Sequence, residues 1–164
     1  MNAIANLSPQ IVWKNFYDLT QIPRPSKFEL EAAKYICDFG KNLGLESFQD
    51  EVGNVIIRKP ATPGMEDRMG IILQAHVDMV PQKNNDVEHD FKKDPIKPRI
   101  VDNMVYATGT TLGADNGLGC AVAMAVLEQK DLVHGPIEVL ITIDEEAGMT
   151  GARALKPGVL KGDI

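Results

Sequence analysis

The stretch Gly70-Ile71-Ile72-Leu73-Gln74-Ala75-His76-Val77-Asp78-Met79 constrains this chain more than any other. Its first apolar residues are consecutive rather than alternating. That predicts a strand covered on both faces, as in the middle of an α/β sheet. The strand ends by delivering a histidine and, two residues later, an aspartate. In extended backbone those two side chains point the same way. A second apolar run over 137–143 ends at Asp144-Glu145-Glu146. Open α/β sheets bind ligands outside the carboxyl ends of their strands, so His76 and Glu145 are expected to meet there.

The remaining segments predict the elements around these strands. Ser8-Pro9 marks a helix start, with Ser8 as N-cap and proline at the first helical position. Ile11, Val12, Phe16 and Leu19 give that helix an apolar face. Ile22-Pro23-Arg24-Pro25 is a stiff connector. Ser26 and Glu29 have the spacing of a capping box. The helix they would open carries Leu30, Ala33, Ile36, Cys37 and Leu43 inward and stops near Gly44. Residues 46–50 and Val55-Ile56-Ile57-Arg58, joined through Gly53-Asn54, predict a hairpin. Residues 81–99 are polar, charged and proline-bearing, which predicts a long loop on the rim of the His76 site. Met104-Val105-Tyr106 is a short strand, 117–129 a buried helix, and 148–161 a short helix and a turn. The fold class is α/β, with a mixed central sheet flanked by helices.

With 164 residues the chain is long enough for one domain with a core. A net charge of -6 argues against a nucleic-acid partner. No apolar run is long enough to span a bilayer, and the first residues lack the pattern of a signal peptide. A cytoplasmic location is therefore expected, with Cys37 and Cys120 as buried, reduced thiols.

Three points carry the chemistry. They are His76 with Asp78, Asp115 between Gly113 and Gly117, and the adjacent Glu145 and Glu146. Asp78 could accept the second N–H of a metal-bound imidazole, but that bond has to bend back around Val77. Glycines let the backbone near Asp115 approach closely, and its carboxylate could reach two cations, one per oxygen. If both glutamates are buried, one can bind metal while the other moves protons. Such mixed nitrogen and oxygen ligation suits zinc, with manganese or cobalt as rivals. Each point alone reads more often as a surface feature or a turn. Together, after apolar strands and before an apolar helix, they favour a metal site. His89, in the rim loop beside Asp90, is a candidate for touching substrate; His134, before Gly135-Pro136, is expected to be structural.

At these residues the sequence resembles the M20 family of co-catalytic zinc peptidases, and within it the bacterial aminoacyl-histidine (Xaa-His) dipeptidases. The resemblance is carried by Ile57-Arg58-Lys59-Pro60-Ala61-Thr62, by the run from Leu73 through His76 and Asp78 to Asn85, by Gly109-Thr110-Thr111-Leu112-Gly113-Ala114-Asp115-Asn116-Gly117, and by Val133-His134-Gly135-Pro136 with Glu145-Glu146-Ala147-Gly148-Met149. It implies a zinc-exopeptidase-like catalytic domain holding two zinc ions. It implies His76 as ligand of one metal, Asp115 as the bridge, Glu146 as a ligand of the second, Glu145 as general base and Asp78 as support for His76. It also implies a cis Asp115–Asn116 peptide and hydrolysis of small dipeptides with C-terminal histidine, carnosine included. Other M20 amidohydrolases, namely aminoacylases, deacetylases and carboxypeptidases, are the rival readings, together with a non-catalytic fragment.

Chains of this family are much longer. Residues 1–164 would be the N-terminal part of the catalytic domain. The remainder of that domain, and an inserted lid that makes a homodimer, would lie outside it. The residues here supply His76, Asp115 and Glu146, three of the five protein ligands the resemblance implies. Asp163 falls short of the expected position of a fourth. The fragment alone is expected to bind metal weakly, to have little or no activity and to leave a sheet edge open to pairing.

Overall fold

Strand β6 (Ile137–Thr142) is buried along its whole length and forms the centre of a four-stranded sheet in a computed structural model that describes residues 3–164. The sheet order is β1 (Glu46–Gln49), β2 (Val55–Lys59), β6 and β3 (Ile71–His76). β2 runs antiparallel to both β1 and β6, whereas β3 runs parallel to β6, so the sheet is mixed. Glu138 sits at 4% exposure in the middle of β6 because its carboxylate is satisfied. It accepts from Arg58 Nε at 2.9 Å, from Lys161 N at 2.7 Å and from Gly162 N at 3.2 Å.

Within residues 3–164, β3 is the outer strand of the sheet. It lies at the side of the sheet, with Ile71 exposed, Ile72 and Leu73 half-buried, and only Ala75 and His76 buried. Its outer edge is partly met by the chain's own 163–164 segment: Asp163 N donates to Gly70 O at 2.8 Å, and Ile72 N to Ile164 O at 2.6 Å. Within these residues both faces of β3 are partly covered, with Ile72 and Leu73 half-buried.

Helix α1 (Gln10–Thr20) buries Phe16 and Leu19 as expected, but its cap differs. Pro9 is the extended N-cap residue, the Ser8–Pro9 bond is cis, and no side chain caps the helix. Helix α2 (Leu30–Asn42) starts at Leu30, with Glu29 as its N-cap, and the expected capping box is absent. Tertiary partners take both side chains: Ser26 Oγ donates to Asp78 at 2.6 Å, and Glu29 Oε1 accepts from Asp144 N at 2.8 Å. The inward face of α2 is Ala32, Ala33, Ile36, Cys37 and Gly40, which leaves Leu30 and Leu43 exposed. The 46–58 hairpin is present, its turn held by Asp50 Oδ1, which accepts from the N–H groups of Val52, Gly53 and Asn54.

At the end of the rim segment, β4 (Pro98–Val101) pairs with β5 (Met104–Ala107) around Asp102 and Asn103, both at positive φ. The expected rim loop therefore ends two residues early: its last two residues, Pro98 and Arg99, open β4, while β5 falls as read. Helix α3 (Ala114–Glu128) buries Cys120, Ala121, Ala123, Met124 and Leu127, and its first turn is irregular at Asp115 and Asn116. Helices α2 and α3 share one core with a single face of the sheet, through Ile36, Cys37, Met124, Val55, Val139 and Ile141. The segment that contains α4 (Thr150–Ala154) crosses the other face, where Arg58 reaches Val159 O at 2.6 Å. A smaller cluster of Ile4, Phe16 and Ala121 ties α1 to α3.

Candidate metal centre

The parallel register of β3 and β6 sets His76 opposite Thr142, so both strands deliver their next residues to the same end of the sheet. α3 begins there too. The loops are tied across: Thr111 Oγ1 donates to Val80 O at 2.7 Å, and Thr111 N to Gln82 O at 2.8 Å. One ligand atom from each of His76, Asp115 and Glu146 falls within 4.8 Å of the others. His76 Nε2 is 3.1 Å from Asp115 Oδ1 and 3.9 Å from Glu145 Oε2. His76 is buried at 6%, while the Asp115 side chain is 83% exposed, so the group opens to solvent on its acidic side.

The imidazole is oriented from behind. Nδ1 lies 3.2 Å from Asp78 O and 3.3 Å from Asp78 Oδ1, so the bend around Val77 is made. A proton on Nδ1 leaves Nε2 free to face Asp115. Burial lowers the His76 pKa, but Asp78, Asp115 and Glu145 outweigh it and raise the value to about 9. Asp78 is wholly buried, which raises its own pKa. The bonds from His76, Ser26 and the Glu145 and Glu146 N–H groups reverse this and hold it at about 2.

Those last bonds were not legible in the sequence. Glu145 N donates to Asp78 Oδ1 at 2.9 Å and Glu146 N to Asp78 Oδ2 at 3.2 Å. Asp78 thus fixes the backbone of the diglutamate as well as the ring of His76. Asp144 adds to the same turn. It sits at φ 52°, its N–H is taken by Glu29, and its carboxylate accepts from the Thr150 hydroxyl. Burial raises the pKa of Glu29, opposed by the backbone N–H groups it accepts. Ser26, Glu29, Asp144 and Arg24 all bond to the segments that carry the site, and the sequence marked Ser26 and Glu29 only as a helix cap. The nearest signal was an arginine between two prolines in an otherwise apolar connector.

The Asp115–Asn116 peptide is cis, as the resemblance implied, and Asn116 Oδ1 accepts from Gly119 N at 3.1 Å. The other candidates lie elsewhere. His89 stacks edge-on against Phe91 with ring centroids 4.5 Å apart and is not in the ligand group. His134 bonds its neighbour Gly135 O at 2.7 Å and holds Thr62, a structural role. Asp163 accepts from Gly70 N at 2.7 Å, away from the ligands. Cys37 and Cys120 are buried free thiols. Burial pushes Cys120 up to about 12, so it is no nucleophile at neutral pH.

Comparison with known proteins places the chain in a family. The chain is 54% identical to the cytosol non-specific dipeptidase of Escherichia coli (strain K12) over 164 residues, which is 100% of this chain and 34% of the relative. Among solved structures it superposes on an aminoacylhistidine dipeptidase from Vibrio alginolyticus with a TM-score of 0.97 and 56% identity, covering 99% of this chain and 33% of the other. Aminopeptidase PepT from Bacillus cereus gives a TM-score of 0.79 and 30% identity, over 95% and 42% of the two chains. The chain therefore spans about a third of the length of these first two relatives. A family model for peptidase family M20/M25/M40 matches residues 72–164, which hold every residue of the ligand group, and the chain belongs to that family.

Proposed function

We propose that the protein carrying this chain is a metal-dependent dipeptidase that hydrolyses small dipeptides, those with C-terminal histidine among them. The observation that carries this is the convergence of His76, Asp115 and Glu146, with Glu145 beside them. The donor set fits a divalent cation. Zinc bonds to imidazole nitrogen and carboxylate oxygen are about 2.0–2.2 Å, so two ligands on one tetrahedral ion stand roughly 3.4 Å apart. The His76–Asp115 separation of 3.1 Å is close to that. Asp115 is exposed enough to offer its second oxygen to a second ion. When bound, two zinc ions would acidify water and polarise the scissile carbonyl, with manganese or cobalt as substitutes.

The chain's own residues do the rest. His76, held by Asp78, presents Nε2 in a fixed tautomer. Glu145 takes the proton of the attacking water and passes it to the leaving amine. Its side chain is 37% exposed, which leaves it free to swing between the two positions. The names of the E. coli and Vibrio relatives support the dipeptide reading. Residues 1–164 are then the N-terminal part of the catalytic domain. Further ligands and a lid that makes a homodimer would come from the rest of the protein, and its place is the cytoplasm. Three ligands shared between two ions are too few for tight binding, so the isolated chain is inactive.

The test is zinc titration by calorimetry on this chain and on the product of its complete reading frame, with alanyl-histidine hydrolysis measured in parallel. The longer protein should bind two zinc ions and cleave, and the 164-residue chain should do neither. Failure of the longer protein to bind metal would remove His76, Asp115 and Glu146 as ligands. Cleavage of acetyl-amino acids in place of alanyl-histidine would move the protein to the aminoacylase branch.

A further inference from the structure

Arg24 is 2% exposed and lies directly beneath the candidate site. Its guanidinium is held by carbonyl oxygens: Nη1 donates to Val77 O at 2.7 Å and Nη2 to Gly113 O at 2.7 Å. Val77 separates His76 from Asp78, and Gly113 is two residues before Asp115. One rigid planar group therefore spans the two segments that carry the histidine and the bridging aspartate.

The slot for it is made by glycine. A Cβ on Gly113 would stand 2.6 Å from Arg24 Nη2, and one on Gly117 would also stand 2.6 Å from it. The glycines flanking Asp115 thus admit a side chain as well as a sharp turn. The backbone of Arg24 is fastened to the same segment, since Met79 N donates to Arg24 O at 3.1 Å and Ser26 N to Met79 O at 3.3 Å. Burying a guanidinium is costly, and Arg24 Nε has no partner. An apolar side chain would fill the slot at less cost, but it could not bind both carbonyls at once.

We propose that Arg24 is a positioning residue of the metal centre: seated between Gly113 and Gly117, it fixes the spacing of the segments that bear His76 and Asp115. The inference rests on the metal-dependent reading above. A lysine keeps the charge but lacks the planar fork that reaches two acceptors in fixed directions.

The experiment uses the protein expressed from the complete reading frame, metal-free, as parent, Arg24→Lys, Gly117→Ala and the double variant. Folding is checked by circular dichroism, and zinc affinity is read by calorimetry well below each Tm. We expect Arg24→Lys to stay folded and to bind zinc roughly 10- to 100-fold more weakly, with kcat falling and KM nearly unchanged. Gly117→Ala, which crowds Nη2, should weaken zinc binding in the parent and add little in the Arg24→Lys background. Zinc affinity within twofold of the parent in both folded single variants would overturn the positioning role, whatever happens to Tm. If Arg24→Lys fails to fold, Gly117→Ala decides: weaker zinc binding supports the role, and unchanged binding sinks it. A parent that binds no zinc would instead remove the metal reading itself.

Discussion

Asp78 has the densest set of partners at the residue scale. It holds the ring of His76 and the N–H groups of both glutamates, and Ser26 bonds it from the other side. In the metal-free protein its pKa is depressed to about 2, below the ordinary carboxylate value. That contribution is present above about pH 4 and is lost as pH falls toward 2. His76 is raised to about 9, so its contribution is complete below about pH 6.5 and is lost as pH rises through 9. The two shifts largely describe one interaction, worth roughly 2 kcal/mol. Metal-free protein should therefore be most stable between about pH 4 and 6.5, and Tm should fall on either side of that window. Asp78→Asn should flatten the alkaline limb of this profile and weaken zinc binding roughly 10- to 100-fold, read by calorimetry. Saturating zinc should also flatten that limb, because metal replaces the proton on Nε2. A Tm profile between pH 6.5 and 9 that is unaltered by Asp78→Asn would contradict the coupling. Glu145→Gln in the complete protein should leave zinc stoichiometry unchanged and lower kcat by roughly 100- to 10,000-fold, since it removes the proton acceptor and none of the ligand group.

Elements differ in what they contribute. β6 is buried along its length and pairs on both sides, whereas β3 is buried only at its end. Ile141→Ala, at a fully buried position, should cost about 2–5 kcal/mol in denaturant titration. Ile71→Ala, at 37% exposure on the outer half of β3, should cost under about 1 kcal/mol. Both are read on the 164-residue chain, where equal costs would contradict the difference in burial. The same contrast explains the helix starts. Local rules gave Ser26 and Glu29 to a cap, but each makes a tertiary bond near the candidate site instead. A bond that ties two segments together satisfies the same hydroxyl or carboxylate and also fixes long-range geometry, and the helix then opens four residues later.

For the whole molecule, the centre joins three segments far apart in sequence, so metal binding should stabilise the assembled state over the unfolded one. Zinc at about 100 times its Kd should add roughly 2.7 kcal/mol to the stability of the complete protein, seen as a rise in Tm that chelator reverses. Much of the candidate site could be marked out from the sequence. Short apolar runs that end in His76-Val77-Asp78 and Asp144-Glu145-Glu146, with glycines around Asp115, marked the ends of two strands and the start of a helix. Periodicity is local, and so is the chemistry that each run carries at its end. What the sequence could not decide was partnership. That Asp78 anchors the glutamate backbone, that the Ser26 and Glu29 side chains bond across the fold instead of capping their helix, and that Arg24 fills the space left by Gly113 and Gly117 depend on which segments pack together. Those choices follow from burial, which removes water as an alternative partner and makes a partner across the fold worth having for an enclosed polar group. No spacing along the chain encodes that search.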